Sequence, residues 1–406
     1  MTAAIDLEQL GFENGAHLLL KRALAALPPG GRLDVVGRDP ALAVHLRAWC
    51  RSQGHRVEWP EGGSGPAGKG LVVAVVVRGE ADDLRWAAAE RAGGPDPSRA
   101  GALVERPSAR WGLAARGALV EAGGPAMDFD LDDGRVVWAD VAPKLYAQAA
   151  AGQWDPATAV DWDAPRDHPV DIEAAVVQLM TYLVENEQAA LVVPARFLGR
   201  IHPHFREVVQ LLAVQVADEA RHVEVFTRRA SLGGGGLGVS GAGGRASLAT
   251  LLAEPDFALA SFLLSVLGEG SFLNLLAFLE RHAPDPVTRQ VSRLALQDEA
   301  RHVAFGLAHL EHQADADPGL RDRLRAAMER RHDALAATAG LNDEVFDALV
   351  LLAAGSWEPA AVAAGYRRVQ RLEADMDEGR QRRLVRLGFP PAEAAALSAL
   401  HTRNFM

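Results

Sequence analysis

The chain is 406 residues long, enough for two or three domains with cores of their own, and 49% apolar residues exclude an intrinsically disordered chain. A formal net charge of −11 argues against nucleic acid and anionic membrane surfaces as partners. The one cysteine, Cys50, excludes an intrachain disulfide, a cysteine-ligated iron–sulfur cluster and a Cys-rich zinc site, and fits a reducing cytoplasm.

No basic region precedes an apolar run at the N-terminus, so no signal peptide is expected. Ala16–Leu27 reads as an amphipathic helix stopped by Pro28-Pro29-Gly30-Gly31, and Arg32–Val36 as a short strand. Asp39-Pro40 opens a second helix through Gln53. Arg56–Trp59 and Leu71–Arg78 are predicted strands on either side of a glycine-rich loop, Glu61–Gly70. Ala88–Gly124 is expected to hold one or two short helices, and Met127–Trp138 a hairpin around Asp132-Asp133-Gly134.

From Val141 onward the pattern is helical. Long helices are predicted over 170–192, 205–230, 255–281 and 286–313, the first ending before Pro194. Leu232–Ser247, with eight glycines, is expected to be a mobile, unpacked crossover between two helical hairpins. Three or four further helices follow.

The pentapeptide Asp-Glu-Ala-Arg-His occurs at Asp218–His222 and again at Asp298–His302. On a helix, positions three apart share a face, so Glu219 with His222, and Glu299 with His302, can each reach one metal ion. Glu187 lies 32 residues before Glu219, and Glu269 lies 30 before Glu299. Both sit in apolar surroundings, where a lone carboxylate must be neutralised or paired. Glu187 is preferred over Glu185 because its spacing matches the second unit better. Four carboxylates and two imidazoles are the donor set of a di-iron or di-manganese carboxylate site in a four-helix bundle. Zinc, which favours four ligands with fewer carboxylates, suits it less.

Single copies of Glu-x-x-His arise often as solvated helix faces, but two copies with matching upstream glutamates do not. Phe257–Leu279 is long enough to span a membrane, yet its central Glu269 is the residue the second unit needs, so a buried core helix is expected. Asp218 and Asp298 lie four residues before His222 and His302, and each is expected to hold the imidazole of its own helix. Arg221 and Arg301 compensate carboxylate charge or form surface pairs. His202 and His204 are expected to cap helix ends, His282 to lie on the surface between helices, and Tyr182 to be a core residue with its hydroxyl satisfied.

At these residues the C-terminal part resembles the ferritin-like di-iron carboxylate superfamily, which includes the ribonucleotide reductase small subunit, bacterial multicomponent monooxygenases, p-aminobenzoate N-oxygenase and rubrerythrin. Trp154-Asp155-Pro156, Asp161-Trp162 and the closing Leu400–Met406 look like bacterial ferritin-like proteins of unassigned activity. The resemblance implies Glu187, Glu219, His222, Glu269, Glu299 and His302 as metal ligands, the four glutamates also taking part in catalysis. It implies two iron ions, with manganese or mixed Mn/Fe as variants, that react with dioxygen or peroxide. The N-terminal part looks like a TusA/SirA-type sulfur-carrier domain. The resemblance rests on the helix ending at Pro29-Gly30, on Asp39-Pro40-Ala41, on Ala48-Trp49-Cys50 and on Gly54-His55. That family's Cys-Pro-x-Pro motif would fall near Glu13-Asn14-Gly15-Ala16, where no thiol stands. Cys50 matches a later position and is expected to be buried.

The expected fold is mainly α. A small two-layer α/β domain (1–80) and a connecting region (81–140) precede a ferritin-like four-helix bundle with extra C-terminal helices (141–406). The expected function is O2-dependent oxidation of a small organic substrate by hydroxylation, N-oxygenation or desaturation, with an external electron donor, in the cytoplasm, with a homodimer as a possible assembly. The alternatives are peroxide reduction or iron oxidation, weakened by the missing Cys-rich electron-transfer module, and a non-enzymatic metal-binding or docking protein.

Overall fold

The computed structural model describes residues 3–60, 71–336 and 343–400. The glycine-rich loop predicted at 61–70 and residues 401–406 of the closing motif lie outside the described residues. The chain divides into two compact units: 1–95 with 117–126, and 96–116 with 127–406.

The first unit begins with a strand the sequence reading missed, β1 (Ala3–Asp6). Then come α1 (Ala16–Ala25), β2 (Arg32–Gly37), α2 (Leu42–Ser52), β3 (Arg56–Glu58) and β4 (Val72–Val77). The sheet order is β1-β2-β4-β3, with β1 parallel to β2 and the other pairs antiparallel. Alternation in β2 and β4 buries Leu33, Val35, Ala74 and Val76, and the apolar stripes of α1 (Leu20, Leu24) and α2 (Leu42, Leu46) pack with them. Cys50 closes this core, and burial pushes its thiol up to about 12. α3 (Ala81–Trp86) and the short pair β5 (Glu90–Arg91) and β6 (Leu119–Val120) complete the unit. The short helices predicted within 88–124 do not form. That stretch runs as turns between β5 and β6, because Gly93, Gly94, Pro95, Pro97, Gly101 and Pro107 interrupt every potential helical turn.

The second unit is helical. The predicted hairpin around Asp132-Asp133-Gly134 is instead the start of α4 (Gly134–Val137), because Asp133 accepts from the Arg135 amide as an N-cap. α5 (Ala142–Ala151) leads to the four long segments. These are α6 (Val170–Leu198), α7 (Arg206–Ser231), a composite third helix and α11 (Pro286–Ala316). α6 continues through Pro194. Losing one backbone bond there costs about 3 kcal/mol, which burial of Pro194, Val193 and Phe197 in the core offsets.

The composite helix is α9 (Phe257–Ser261), a π-helical segment (Phe262–Glu269) and α10 (Gly270–His282). Asp256 caps the Leu259 amide at its start, and Asp285 caps that of Thr288 in α11. Among the described residues this composite is the one continuous helix long and apolar enough to cross a membrane, and it is largely buried within the unit.

The crossover between hairpins is not the loose tether expected. Its end is helical, α8 (Ala242–Ala253), and the irregular stretch before it is bonded to α6: Gly238 and Val239 amides donate to Thr181 and Gln178 at 2.7 and 2.8 Å. The buried Arg331 ties α8 down through Ser247 and Thr250. Arg331 lies on α12 (Leu320–Ala336), which is followed by α13 (Asp343–Ala354), α14 (Pro359–Arg386) and α15 (Pro391–Ala399).

α6 packs along α7, α10 along α11, and α7 meets α11. Two apolar clusters fill the bundle. One contains Val193, Phe197, Leu212 and Phe262, the other Leu183, Phe226, Leu275 and Val291. Between them lies a belt of buried polar side chains.

Candidate metal centre

α7 presents Glu219 and His222 one turn apart, and α11 presents Glu299 and His302 in the same way. α6 supplies Glu187 and the π-helical segment supplies Glu269. All six side chains are at most 4% exposed. Glu185, the competing candidate, is only partly buried and takes no part.

The six form two overlapping groups. Glu187, Glu219, His222 and Glu299 bring donor atoms within 4.8 Å of one another, and so do Glu219, Glu269, Glu299 and His302. Glu219 and Glu299 belong to both groups, the placement expected of carboxylates shared between two cations. His222 Nδ1 lies 3.2 Å from Glu219, 3.4 Å from Glu187 and 3.4 Å from Glu299. His302 Nδ1 lies 3.0 Å from Glu219 and 3.4 Å from Glu299.

His222 Nδ1 is within hydrogen-bond reach of Glu187 and Glu219, but these contacts leave other donor atoms over. Glu187 Oε1, Glu219 Oε1, Glu269 Oε2, Glu299 Oε2 and His302 Nδ1 are buried without a hydrogen-bond partner. Buried polar atoms are normally satisfied, so five orphans converging on one spot call for a cation. Electrostatics agree. Burial, reinforced by Glu219, pushes the Glu187 carboxyl up to about 8, and burial with Glu299 holds Glu269 well above the carboxylate range. Burial disfavours charge on His222 and His302, yet Glu187 acting on the first and Glu219 on the second outweigh it and raise both well above the ordinary imidazole range. Glu187, Glu269 and both imidazoles are thus pushed toward their protonated forms, while at Glu219 the two imidazoles outweigh burial and hold the carboxyl below its usual range; a pair of cations would relieve the same crowding of charge. The cluster can bind a di-metal site.

The aspartates behave differently from the expectation. Asp298 bonds His222 Nε2, and Asp218 bonds His302 Nε2, each at 3.2 Å. Each therefore orients the imidazole of the opposite helix. Asp218 and His222 point from one face of α7 toward α11, so the nearest partner of each lies across the interface. This leaves both Nδ1 atoms facing the carboxylates. Burial opposes the charge on Asp298, but His222 outweighs it and brings the carboxyl down to about 2. Arg221 pairs with Asp218 and Arg301 with Asp298.

Four contributors were missed as such. Trp154 Nε1 donates to Asp298 at 2.8 Å while its ring stacks over His222, and Gln153 donates to Asp218 at 2.9 Å. Gln215 donates to Glu269 at 3.1 Å, and the Ser265 hydroxyl nearby favours the charged form of that carboxyl against burial. Gln215 and Ser265 each lie four residues before a site glutamate, a spacing that was available as a signal.

His202 accepts from the His204 amide, the capping role expected, and His204 accepts from that of Val104. Tyr182 departs from expectation. Its hydroxyl is buried beside Asn186 without a hydrogen bond of ordinary geometry, since the Asn186 amide turns to the Tyr182 carbonyl.

A cavity of about 20 Å³ borders Glu187, Glu269 and Glu299, walled by Leu248 and Leu251 of α8, Leu264, Gly268 and Phe272. A second of similar size lies behind Gln215 and Ser265. Gly268 lines the first cavity, whereas Gly270 makes room for the Arg383 guanidinium. A groove of about 510 Å³ around Glu311, Asp317 and Arg386 contains none of the six residues.

No protein-family model and no curated protein matches the chain. Solved structures of R2-like ligand-binding oxidase variants with a reconstituted Mn/Fe cofactor are similar to it. One, reconstituted anaerobically, is 19% identical, spans 57% of this chain and 92% of its own, and superposes with a TM-score of 0.42. Two reconstituted aerobically are each 19% identical. They span 60% and 63% of this chain and 92% and 93% of their own, with TM-scores of 0.44 and 0.43. Superposition this loose carries no residue role across, and the case for two metal ions rests on the donor geometry.

Proposed function

We propose that the protein is a di-metal oxidoreductase that uses dioxygen to oxidise a small organic substrate, with electrons from an external donor. Glu187 and His222 would hold one ion, Glu269 and His302 the other, and Glu219 and Glu299 would bridge them. The observation that carries this reading is the convergence of five buried, partnerless donor atoms. Two iron ions, or one manganese and one iron, supply dioxygen reduction when bound. The chain's own part is positioning and exclusion. Asp218 and Asp298 fix the imidazole tautomers. Gln215 restrains one oxygen of Glu269 and leaves the other free. Leu248, Leu251, Leu264 and Phe272 keep bulk water away.

The test is oxygen uptake by protein loaded anaerobically with Fe(II), or with Mn(II) and Fe(II). Rapid uptake, abolished in Glu269→Ala at unchanged helix content, is expected. A loaded protein inert to both O2 and peroxide would leave the non-enzymatic reading. Peroxide reduction is the second reading, favoured by the cavity of about 20 Å³, which admits a reactant no larger than water, O2 or peroxide unless α8 moves. Fast peroxide turnover without organic substrate would select it.

For the first unit we infer a carrier-type domain that has lost its thiol. The β1-β2-β4-β3 order with two helices packed into one core, and a Cys50 too buried to react, support this.

A further inference from the structure

The π-helical segment is the least regular backbone in the bundle, and it delivers Glu269. At its end the Gly270 amide donates to Ser265 O, five residues back. Bonding in α10 then reverts to four residues. Such a change passes over one carbonyl, and Val266, next after Ser265, is where it falls. A buried carbonyl without a donor is destabilising. Arg383 of α14 reaches in and donates from Nε to Val266 O at 2.7 Å. Its guanidinium lies so close over Gly270 that a Cβ there would sit 2.5 Å from Arg383 Cζ. Among the described residues no carboxylate pairs with Arg383, and burial brings its guanidinium down to about 10. A buried arginine with no anion needs another reason to be there.

We propose that Arg383 is a positioning residue for Glu269: it occupies the carbonyl that the π register leaves open and so holds the register that aims Glu269 at the metals. Return to α-helical bonding would move Glu269 by about one residue position, about 100° around the axis. The carboxylate would then leave the cluster. Gly306 serves the same register from α11, since a Cβ there would lie 2.4 Å from that of Ser265. The inference rests on the reading of Glu269 as a metal ligand.

The experiment compares full-length wild type, Arg383→Met, Arg383→Lys, Gly270→Ala and, as a packing control from the same helix, Leu384→Ala. Fe(II) titration counts ions and their affinities, and hydrogen exchange follows the 262–271 amides in metal-free protein. Arg383→Met is expected to weaken one of the two ions at least tenfold and to speed exchange in 262–271. Arg383→Lys should recover part of both. Gly270→Ala, which displaces the guanidinium without deleting it, should reproduce the loss if Arg383→Met does not fold. Leu384→Ala should lower thermal stability while both ions bind normally. Two tight ions in Arg383→Met or Gly270→Ala, or the same single-ion loss in Leu384→Ala, would overturn the proposal. A wild type that binds no metal, with exchange still faster in Arg383→Met, would refute the metal reading and leave the register role standing.

Discussion

The two halves of the candidate centre carry the same pentapeptide but are built differently around it. Glu187 rides on an α-helix and among the described residues has no side-chain hydrogen bond besides that with the site histidine, whereas Glu269 rides on a π-helix, accepts from Gln215 and lies near Ser265. The repeat explains part of this. Alignment of His222 with His302 sets Phe226 against Gly306, Arg229 against His309, and Gln215 against Ala295. Phe226 fills the core beside His222, while Gly306 leaves a gap that the wider π segment enters. Arg229 ties α7 to Glu173 of α6 and to Asp285 and Thr288 at the start of α11. His309 instead bonds Ser261 and the Val136 carbonyl. A duplicated motif can therefore present the same donors from two unlike frames, one rigid and one register-dependent.

The largest expected effect tests whether the halves are separable. His222→Ala and His302→Ala should each weaken binding of one ion by more than the tenfold or so typical of losing an outer partner, and the double variant should bind none. Metal analysis decides; full occupancy in the double variant would end the metal assignment. Next come the frames themselves. Arg229→Ala should destabilise the fold by about 3–5 kcal/mol, because Asp285 is left buried and unpaired. A loss under 1 kcal/mol in denaturant titration would show that the first frame is not pinned there. Gly306→Ala should cost about 1–3 kcal/mol by overpacking against Ser265 and also weaken the ion on the Glu269 side. Phe226→Ala should lower stability through a cavity and spare that ion.

The smallest effect is a pH dependence that reaches the second frame through His309. Burial brings the His309 imidazole down from 6.5 to about 4. Between these values the unfolded chain binds the extra proton, so stability rises with pH there. The contribution is complete above pH 6.5 and is lost as pH falls toward 4. His204, which burial also brings down to about 4, contributes over the same range, so His309→Gln should reduce the slope of melting temperature against pH without abolishing it; an unchanged slope would assign it to other groups.

The helices and the six clustered residues were legible because two signals coincided: a carboxylate in an apolar run, and Glu-x-x-His repeated at matching distance. What stayed hidden depended on contacts between helices. Nothing in the local spacing says that Asp218 turns to His302 rather than to His222. The π register is invisible too, because Phe262–Glu269 has the composition of any buried helix, and its brace, Arg383, comes more than a hundred residues later. The crossover misled by composition. Eight glycines suggested slack, yet Gln178, Thr181 and Arg331 secure it from outside the segment. β1 escaped because four residues at a terminus carry too little pattern.

The exchange of partners between Asp218–His302 and Asp298–His222 bears on the order of assembly. A hairpin of α6 and α7 folded by itself has an unbraced His222, and the hairpin containing α11 has an unbraced His302. Neither can capture an ion in its final geometry before the other arrives. Selection among competing cations would thereby be postponed until the bundle has closed, when shape and coordination number can discriminate, instead of falling to whichever ion first meets a nascent chain.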